Sequence, residues 1–216
     1  MPTLDFVADI LCPWCFIARR RLESSIPQLR QQGLSIDWVW RPFLLDPNGP
    51  AQGRDAREHW QNRFGSLDAA SRYHAQVAEA GRTVHIDFRY DLVRHIPHSR
   101  DLHRMILLAQ EHDLQDRMCE TLATAFFTRG LRIGDADVLV ELAVDVGLQR
   151  VAARNVLVGS TYAFEVMQSD ELAKRNGIHA VPAFCFYGKT LPIQHLDGIV
   201  DALLSARRSL GGVRPR

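Results

Sequence analysis

The hydrophobic patterning predicts an α/β fold assembled from two sequence-distant halves, βαβ and ββα, with a large all-helical insertion between them. Three observations predict it. A short apolar run, Thr3 to Leu11, passes directly into a helix-patterned segment at Cys12-Pro13-Trp14-Cys15. From about Asp55 to Asn176 the apolar residues recur every three or four positions. β character returns only at Ala183-Phe184-Cys185-Phe186-Tyr187, so the two sheet halves are incomplete without each other.

The elements follow in order. Thr3 to Leu11 has the apolar density and the length of a buried strand. Cys15, Leu22, Ile26 and Leu29 then mark one helical face, with Arg19 and Glu23 on others. Pro27 is expected to kink this helix or to restart it from Ser24 or Ser25, and Gly33 to end it. Ser35 to Arg41, centred on Trp38-Val39-Trp40, supplies the second strand. Pro42, Pro47, Asn48, Gly49, Pro50 and Gly53 mark a loop-rich passage.

Helical stripes follow: Leu102, Ile106 and Ala109 after Ser99; Leu114, Met118, Leu122 and Ala125; Val138, Leu142 and Val146 after Asp135. A further helix spans Tyr162 to Asn176 and stops at Gly177. A hairpin is expected from Ala183–Tyr187, a Gly188-Lys189 turn and a run from Thr190 to His195. Asp197 caps a last helix, and Gly211 to Arg216 form a frayed tail. The order βαβ, helices, ββα is that of a thioredoxin-like fold. Residues 1–50 and 177–216 make the discontinuous thioredoxin-like domain, and residues 51–176 the helical insertion domain.

The chain has 216 residues, 46% of them hydrophobic and 24% charged, with a net charge of +1. That balance implies neither a nucleic-acid surface nor a polybasic membrane patch. The densest basic run, Arg19-Arg20-Arg21, reads as a solvated helix face. No apolar run is long enough for a membrane span, and the amino end lacks the pattern of an export signal. The expected setting is cytoplasmic, where two cysteines three apart suggest redox or metal chemistry rather than a structural staple.

At a strand-to-helix junction the pair reads as a redox dithiol. Exchange requires one thiolate that attacks and a second thiol near enough to resolve the mixed disulfide. A helix beginning at Pro13 places Cys12 beside unpaired N–H groups and the positive end of the helix dipole, which favours a thiolate. Cys15 lies one turn inward as the resolving thiol. Pro13 costs no intrahelical hydrogen bond at that position. A zinc site would need a second close ligand pair, which Cys119 and Cys185 do not supply; both read as buried, inert thiols. His95, His98 and His103 read as surface or capping residues, and no metal is expected.

The Val181-Pro182 step occupies the place where a thioredoxin architecture carries a cis-proline facing the dithiol, with Val181 free to bind substrate through its main chain. Two stretches carry a family resemblance. Phe6-Val-Ala-Asp-Ile-Leu-Cys-Pro-Trp-Cys-Phe-Ile-Ala-Arg-Arg-Arg-Leu-Glu23, and Leu172 to Ile178 through Val181-Pro182-Ala183-Phe184, resemble the FrnE-like branch of the DsbA-family thioredoxin-fold oxidoreductases. The resemblance implies disulfide exchange with Cys12 as nucleophile, Cys15 as resolver and Pro182 shaping a substrate groove lined by Pro13, Trp14 and Val181.

It also places an aspartate near Asp9, read either as a proton relay for Cys15 or as a hydrogen-bonded strand end. Ala180 stands where the family often has glycine, which implies a tighter groove. Trp14 replaces the histidine of DsbA and supplies no charge, which implies a less oxidising couple. No tightly bound cofactor is expected; glutathione or another thiol is a candidate co-substrate, and a disulfide-containing protein or small molecule the partner. The alternative is a glutathione-dependent isomerase or transferase acting on a small aromatic or polyketide-like molecule. Against it, Cys12 stands where such relatives commonly carry serine, and Pro97-His98-Ser99 lacks their asparagine. A redox-sensing or chaperone-like binding protein is the third reading.

Overall fold

A computed structural model describes residues 2–193 and 196–210. The sheet is built on β1 (Thr3–Ala8), which pairs in parallel with β2 (Asp37–Pro42), Phe6 opposite Trp40. Parallel pairing requires a crossover, and α1 (Pro13–Gln31) provides it. The alternation along β1 decides which side chains face which layer. Leu4 and Phe6 are fully buried; Phe6 stacks on Phe184 with centroids 4.7 Å apart and meets Trp40 edge-on at 5.5 Å. Val7 points to the opposite side and packs with Phe43, Ala173 and Ile178.

α1 begins where expected, but it does not break at Pro27. Proline removes one backbone donor and leaves the carbonyl of Glu23 without its partner. Both residues are exposed, so water can take that carbonyl and the helix continues to Gln31. Arg19 is a second correction. It is 3% exposed and paired with Asp116 and Glu120, not on a solvated face. Four residues from Cys15 and three from Leu22, it belongs to the buried stripe.

Between β2 and the last sheet strands the chain makes one short β pair and seven helices. β3 (Arg54–Asp55) leads into α2 (Ala56–Phe64), whose first turn is capped by the Asp55 carboxylate accepting from Glu58 N at 3.0 Å. α3 (Leu67–Arg82) follows, capped by Ser66. β4 (His95–Ile96) returns to pair with β3, Asp55 opposite His95. This two-residue ladder carries no periodicity and was not expected. Gly53, at φ +74°, is needed beside it: a Cβ there would lie 2.4 Å from the His95 ring.

α4 (Arg100–Gln110), α5 (Gln115–Phe127), α6 (Ala136–Val146) and α8 (Ala163–Arg175) are the expected helices; α7 (Arg150–Val158), for which no stripe was named, lies between the last two, and Gly177 follows α8 at φ +78°. β5 (Ala183–Phe186) then lies antiparallel to β1, Phe184 opposite Phe6, and β6 (Lys189–Thr190) pairs with β5. The strand order is β2-β1-β5-β6.

The hairpin turn is Tyr187-Gly188, one residue earlier than expected, with φ of 51° and 73°. Of the run expected from Thr190 to His195, Thr190 is strand, and Lys189, expected in the turn, is strand with it; 194–195, like the tail 211–216, lie outside the described residues. A single 3-10 turn, Leu196–Gly198, precedes α9 (Ile199–Leu210).

Candidate active site

Cys12 is the N-cap of α1, with extended backbone angles (φ −88°, ψ 113°), and Pro13 fills the first helical position. Its amide donates to Asp9 O at 3.0 Å, so the β1 exit and the helix entry form one tight turn. The Cys12 thiol faces the carbonyl of Val181 at 3.7 Å across 169 residues of chain. The Val181–Pro182 bond is cis. Both thiols of the motif are free. They differ in access: Cys12 is 6% exposed and opens onto a cavity, while Cys15 is 1% exposed and lies behind it. Burial pushes the Cys15 thiol well above its ordinary value, and the neighbouring Cys12 adds to the effect.

Asp9 is 1% exposed and fully engaged. Its carboxylate accepts from Leu11 N at 2.9 Å, Leu45 N at 2.9 Å and Ser99 Oγ at 3.0 Å. His103 Nε2 stands 3.7 Å away. Burial by itself would raise the carboxyl; the imidazole of His103 and the backbone N–H groups of Leu45 and Leu11 outweigh it, and the pKa falls below its ordinary 3.8. His103 is wholly buried, contrary to the surface role expected of it. The Trp40 indole N–H donates to its Nδ1 at 3.1 Å, which leaves the Nε2 proton to face Phe43 O and Asp9. His98 does act as a cap, accepting from Arg100 N at the start of α4, and His95 Nε2 lies 2.9 Å from Gln52 O.

Trp14 reaches out of the motif toward the helical part of the chain. Its Nε1–H donates to Tyr73 Oη on α3 at 3.1 Å. Tyr73 belongs to an aromatic wall with Trp60, Phe64, His74, Tyr90 and Phe127; the rings of His74 and Tyr90 stack at 3.8 Å and 5°. This wall, the Cys12-Pro13 step and the His179–Val181 segment enclose a cavity of about 370 Å³.

The sequence-predicted residues therefore divide. Cys12, Pro13, Val181 and Asp9 border the cavity, Trp14 hydrogen-bonds to one of its walls, and Cys15 lies beneath. Tyr73, Ser99 and the wall of rings were not singled out as site residues; for Ser99 the signals were its place before a helix and in the Pro97-His98-Ser99 step. It is the N-cap of α4, yet its hydroxyl serves Asp9 rather than the helix.

Cys119 is wholly buried, and its thiol is pushed far up by that burial. Cys185 is half-buried rather than buried, 3.6 Å from Thr190 Oγ1. Among the described residues no three His, Cys, Asp or Glu side chains gather as a metal-ligand set, and no helix is long and apolar enough to cross a membrane.

A thioredoxin-type sheet with a Cys-x-x-Cys dithiol at the amino end of its first helix defines a thiol–disulfide oxidoreductase. The particular family is the DSBA-like thioredoxin domain family, to which this chain belongs over residues 3–204. The chain is 23% identical over 191 residues to the Bacillus subtilis (strain 168) protein YwbO, covering 86% of each. A Streptomyces coelicolor structure described as a probable DsbA oxidoreductase superposes with TM-score 0.86 at 23% identity, over 100% of this chain and 93% of the other. The cytosolic disulfide reductase DsbM from Pseudomonas aeruginosa, solved with GSH, superposes with TM-score 0.60 at 18% identity, over 97% and 99% of the two chains. At these identities the two structures establish a shared fold.

Proposed function

We propose that the protein catalyses thiol–disulfide exchange through a mixed disulfide on Cys12 that Cys15 resolves. The observation that carries this reading is the asymmetry of the pair: Cys12 opens to the cavity beside Val181 O, and Cys15 is sealed behind it with a raised pKa. In the first step the Cys12 thiolate attacks one sulfur of a substrate disulfide and the other sulfur leaves as a thiolate. Cys15 then gives up its proton and attacks the Cys12 sulfur, which releases the second thiol and leaves a Cys12–Cys15 disulfide. A thiol reductant resets the pair, and glutathione is the candidate; DsbM, which has this fold and was solved with GSH, supports the choice and a cytoplasmic setting.

Val181 offers its carbonyl, and Pro182, Pro13 and Trp14 shape the substrate groove. Asp9, held charged by its donors, acts as a fixed anion near Cys15 rather than as a proton relay. Residues 1–50 and 177–216 form the redox domain, and 51–176 its substrate cover, in the manner of the FrnE-like branch. The uncharged Trp14 makes the couple milder than DsbA.

The test is a pair of variants. Cys12→Ser is expected to abolish disulfide reduction, and Cys15→Ser to accumulate a covalent adduct on Cys12 that mass spectrometry identifies. Full activity in Cys12→Ser would refute the reading. Turnover that needs glutathione, involves no net redox change and survives Cys15→Ser would select the isomerase or transferase alternative, which the aromatic cavity favours.

A further inference from the structure

The cavity is more specific than a general exchange site requires. An enzyme that exchanges with folded protein disulfides needs its attacking sulfur on an open surface, where a loop can lie across it. Here Cys12 is a buried residue, 6% exposed, at the floor of a cavity walled by α2 and α3. Its volume of about 370 Å³ lies toward the lower end of the roughly 300–1,000 Å³ typical of small-molecule sites.

The wall facing Cys12 is aromatic. Trp60 meets His74 edge-on at 4.6 Å, His74 stacks on Tyr90, and Phe64 tilts against Tyr73 at 4.9 Å. Such a wall offers π faces and edges to a planar guest.

The charges at the cavity are unequally spent. Asp9 is satisfied by its three hydrogen bonds, and Asp46 is paired with Arg54. Burial lowers the imidazoles of His59 and His74, the latter to about 4, so His74 carries no charge near neutral pH. Arg63 differs: its guanidinium lies 5.8 Å from the Phe64 ring and, among the described residues, has no carboxylate partner. It is an exposed cation at the rim of an aromatic cavity, close enough to Tyr73 to act on its hydroxyl.

From this arrangement we propose that the cavity binds a low-molecular-weight disulfide whose leading half carries an aromatic ring and an anionic group, the ring seated against Trp60 and Tyr73 and the anion on Arg63. This deepens the oxidoreductase reading and rests on it. The chemistry balances as above: the disulfide R–S–S–R takes two electrons and two protons from the dithiol and leaves as two R–SH, and two equivalents of a monothiol of the glutathione class reduce the Cys12–Cys15 disulfide.

The experiment follows pre-reduced protein by stopped flow with four disulfides, each rate divided by that of dithiothreitol with the same compound. The probes are 5,5′-dithiobis(2-nitrobenzoate), aromatic and anionic; 4,4′-dithiodipyridine, aromatic and uncharged; hydroxyethyl disulfide, neither; and cystamine, cationic. Only the phase lost in Cys12→Ser is counted. The nitrobenzoate probe is expected to show saturation and the highest normalised rate. Because an exposed ion pair is a modest interaction, Arg63→Ala is expected to slow this probe about three- to fivefold, and Arg63→Glu about tenfold. The dipyridine rate should stay within about twofold, Arg63→Glu should speed cystamine, and Arg63→Lys should largely restore the nitrobenzoate rate.

Arg63 is exposed on α2, so folding is not at stake, and a circular-dichroism melt checks it. Equal effects of Arg63 variants on all four probes, or a normalised rate highest for hydroxyethyl disulfide, overturn the ligand class while leaving Cys12 chemistry intact. Absence of any Cys12-dependent phase in the wild type removes the oxidoreductase reading and this one together.

Discussion

Asp9→Asn changes one oxygen in a dry site whose every neighbour is a donor. The carboxylate oxygen Oδ1 accepts from Leu11 N, and Oδ2 accepts from both Leu45 N and Ser99 Oγ. An amide must turn its NH2 toward one of these sides. Set on Oδ2 it opposes the Leu45 N–H; set on Oδ1 it opposes the Leu11 N–H. Either way one backbone donor is orphaned, a cost of about 1–3 kcal/mol. The surviving bonds lose their charge assistance, which weakens each by roughly half. The relief of no longer burying a charge works the other way, but the depressed pKa shows that the donors outweigh burial in the folded state.

The expected net loss is about 2–3 kcal/mol, or roughly 4–12 °C in melting temperature for a chain of this size. The sign with pH follows. The folded pKa lies below the ordinary 3.8, so the carboxylate's contribution is complete above 3.8 and is lost as pH falls through the folded value. Urea unfolding of wild type and Asp9→Asn should therefore converge on acidification below about pH 4. Removing the anion also removes one of the influences that raise the Cys15 thiol, so the resolving step should speed up at neutral pH. Equal stability within about 0.5 kcal/mol at pH 7, or a constant gap down to pH 2, would refute the assignment of Asp9 as a resident charge.

The indole of Trp14 and the hydroxyl of Tyr73 should be coupled. Trp14→Phe and Tyr73→Phe are each expected to slow exchange about fivefold, and the double variant to cost little more, a coupling of about 1 kcal/mol; strictly additive effects would show that the hydrogen bond does not position the motif. His74 supplies a separate pH signature. With a folded pKa of about 4 against an ordinary 6.5, the unfolded chain takes up the proton first, so stability should fall as pH drops from about 6.5 to 4. His74→Gln should flatten that slope in pH-dependent melts, and an unchanged slope would mean that the ring is not desolvated against Tyr90.

Local physics made the dithiol legible in the sequence. An apolar strand, a residue free to cap, a proline at the first helical turn and a cysteine one turn on are near neighbours in the chain, and their roles need no distant partner. Gly33 and Gly177 were readable for the same reason, since a positive φ beyond a helix is a requirement of the backbone there. The split sheet was legible as well, because the β-type runs lie near the two ends of the chain, Thr3 to Arg41 and from Ala183 on, with helical periodicity between them. Where sequence reasoning failed, the deciding contact was long-range. Arg19 is buried because Asp116 and Glu120 come to meet it from α5, and His103 because Trp40 and Phe43 close over it.

The β3–β4 ladder is two residues long and leaves no periodic trace, yet it closes the chain across forty residues beside the cavity. Periodicity specifies that a helix has an inner face but not what that face will touch. By itself, then, the sequence determined the placement of the thiol pair at a strand-to-helix junction and the order of the sheet strands and the helices that flank them. Tertiary structure alone decided that Cys12 opens into an aromatic cavity whose rim carries Arg63, an arginine with no carboxylate partner among the described residues, because α2, α3 and α5 bring those side chains together and no spacing along the chain does.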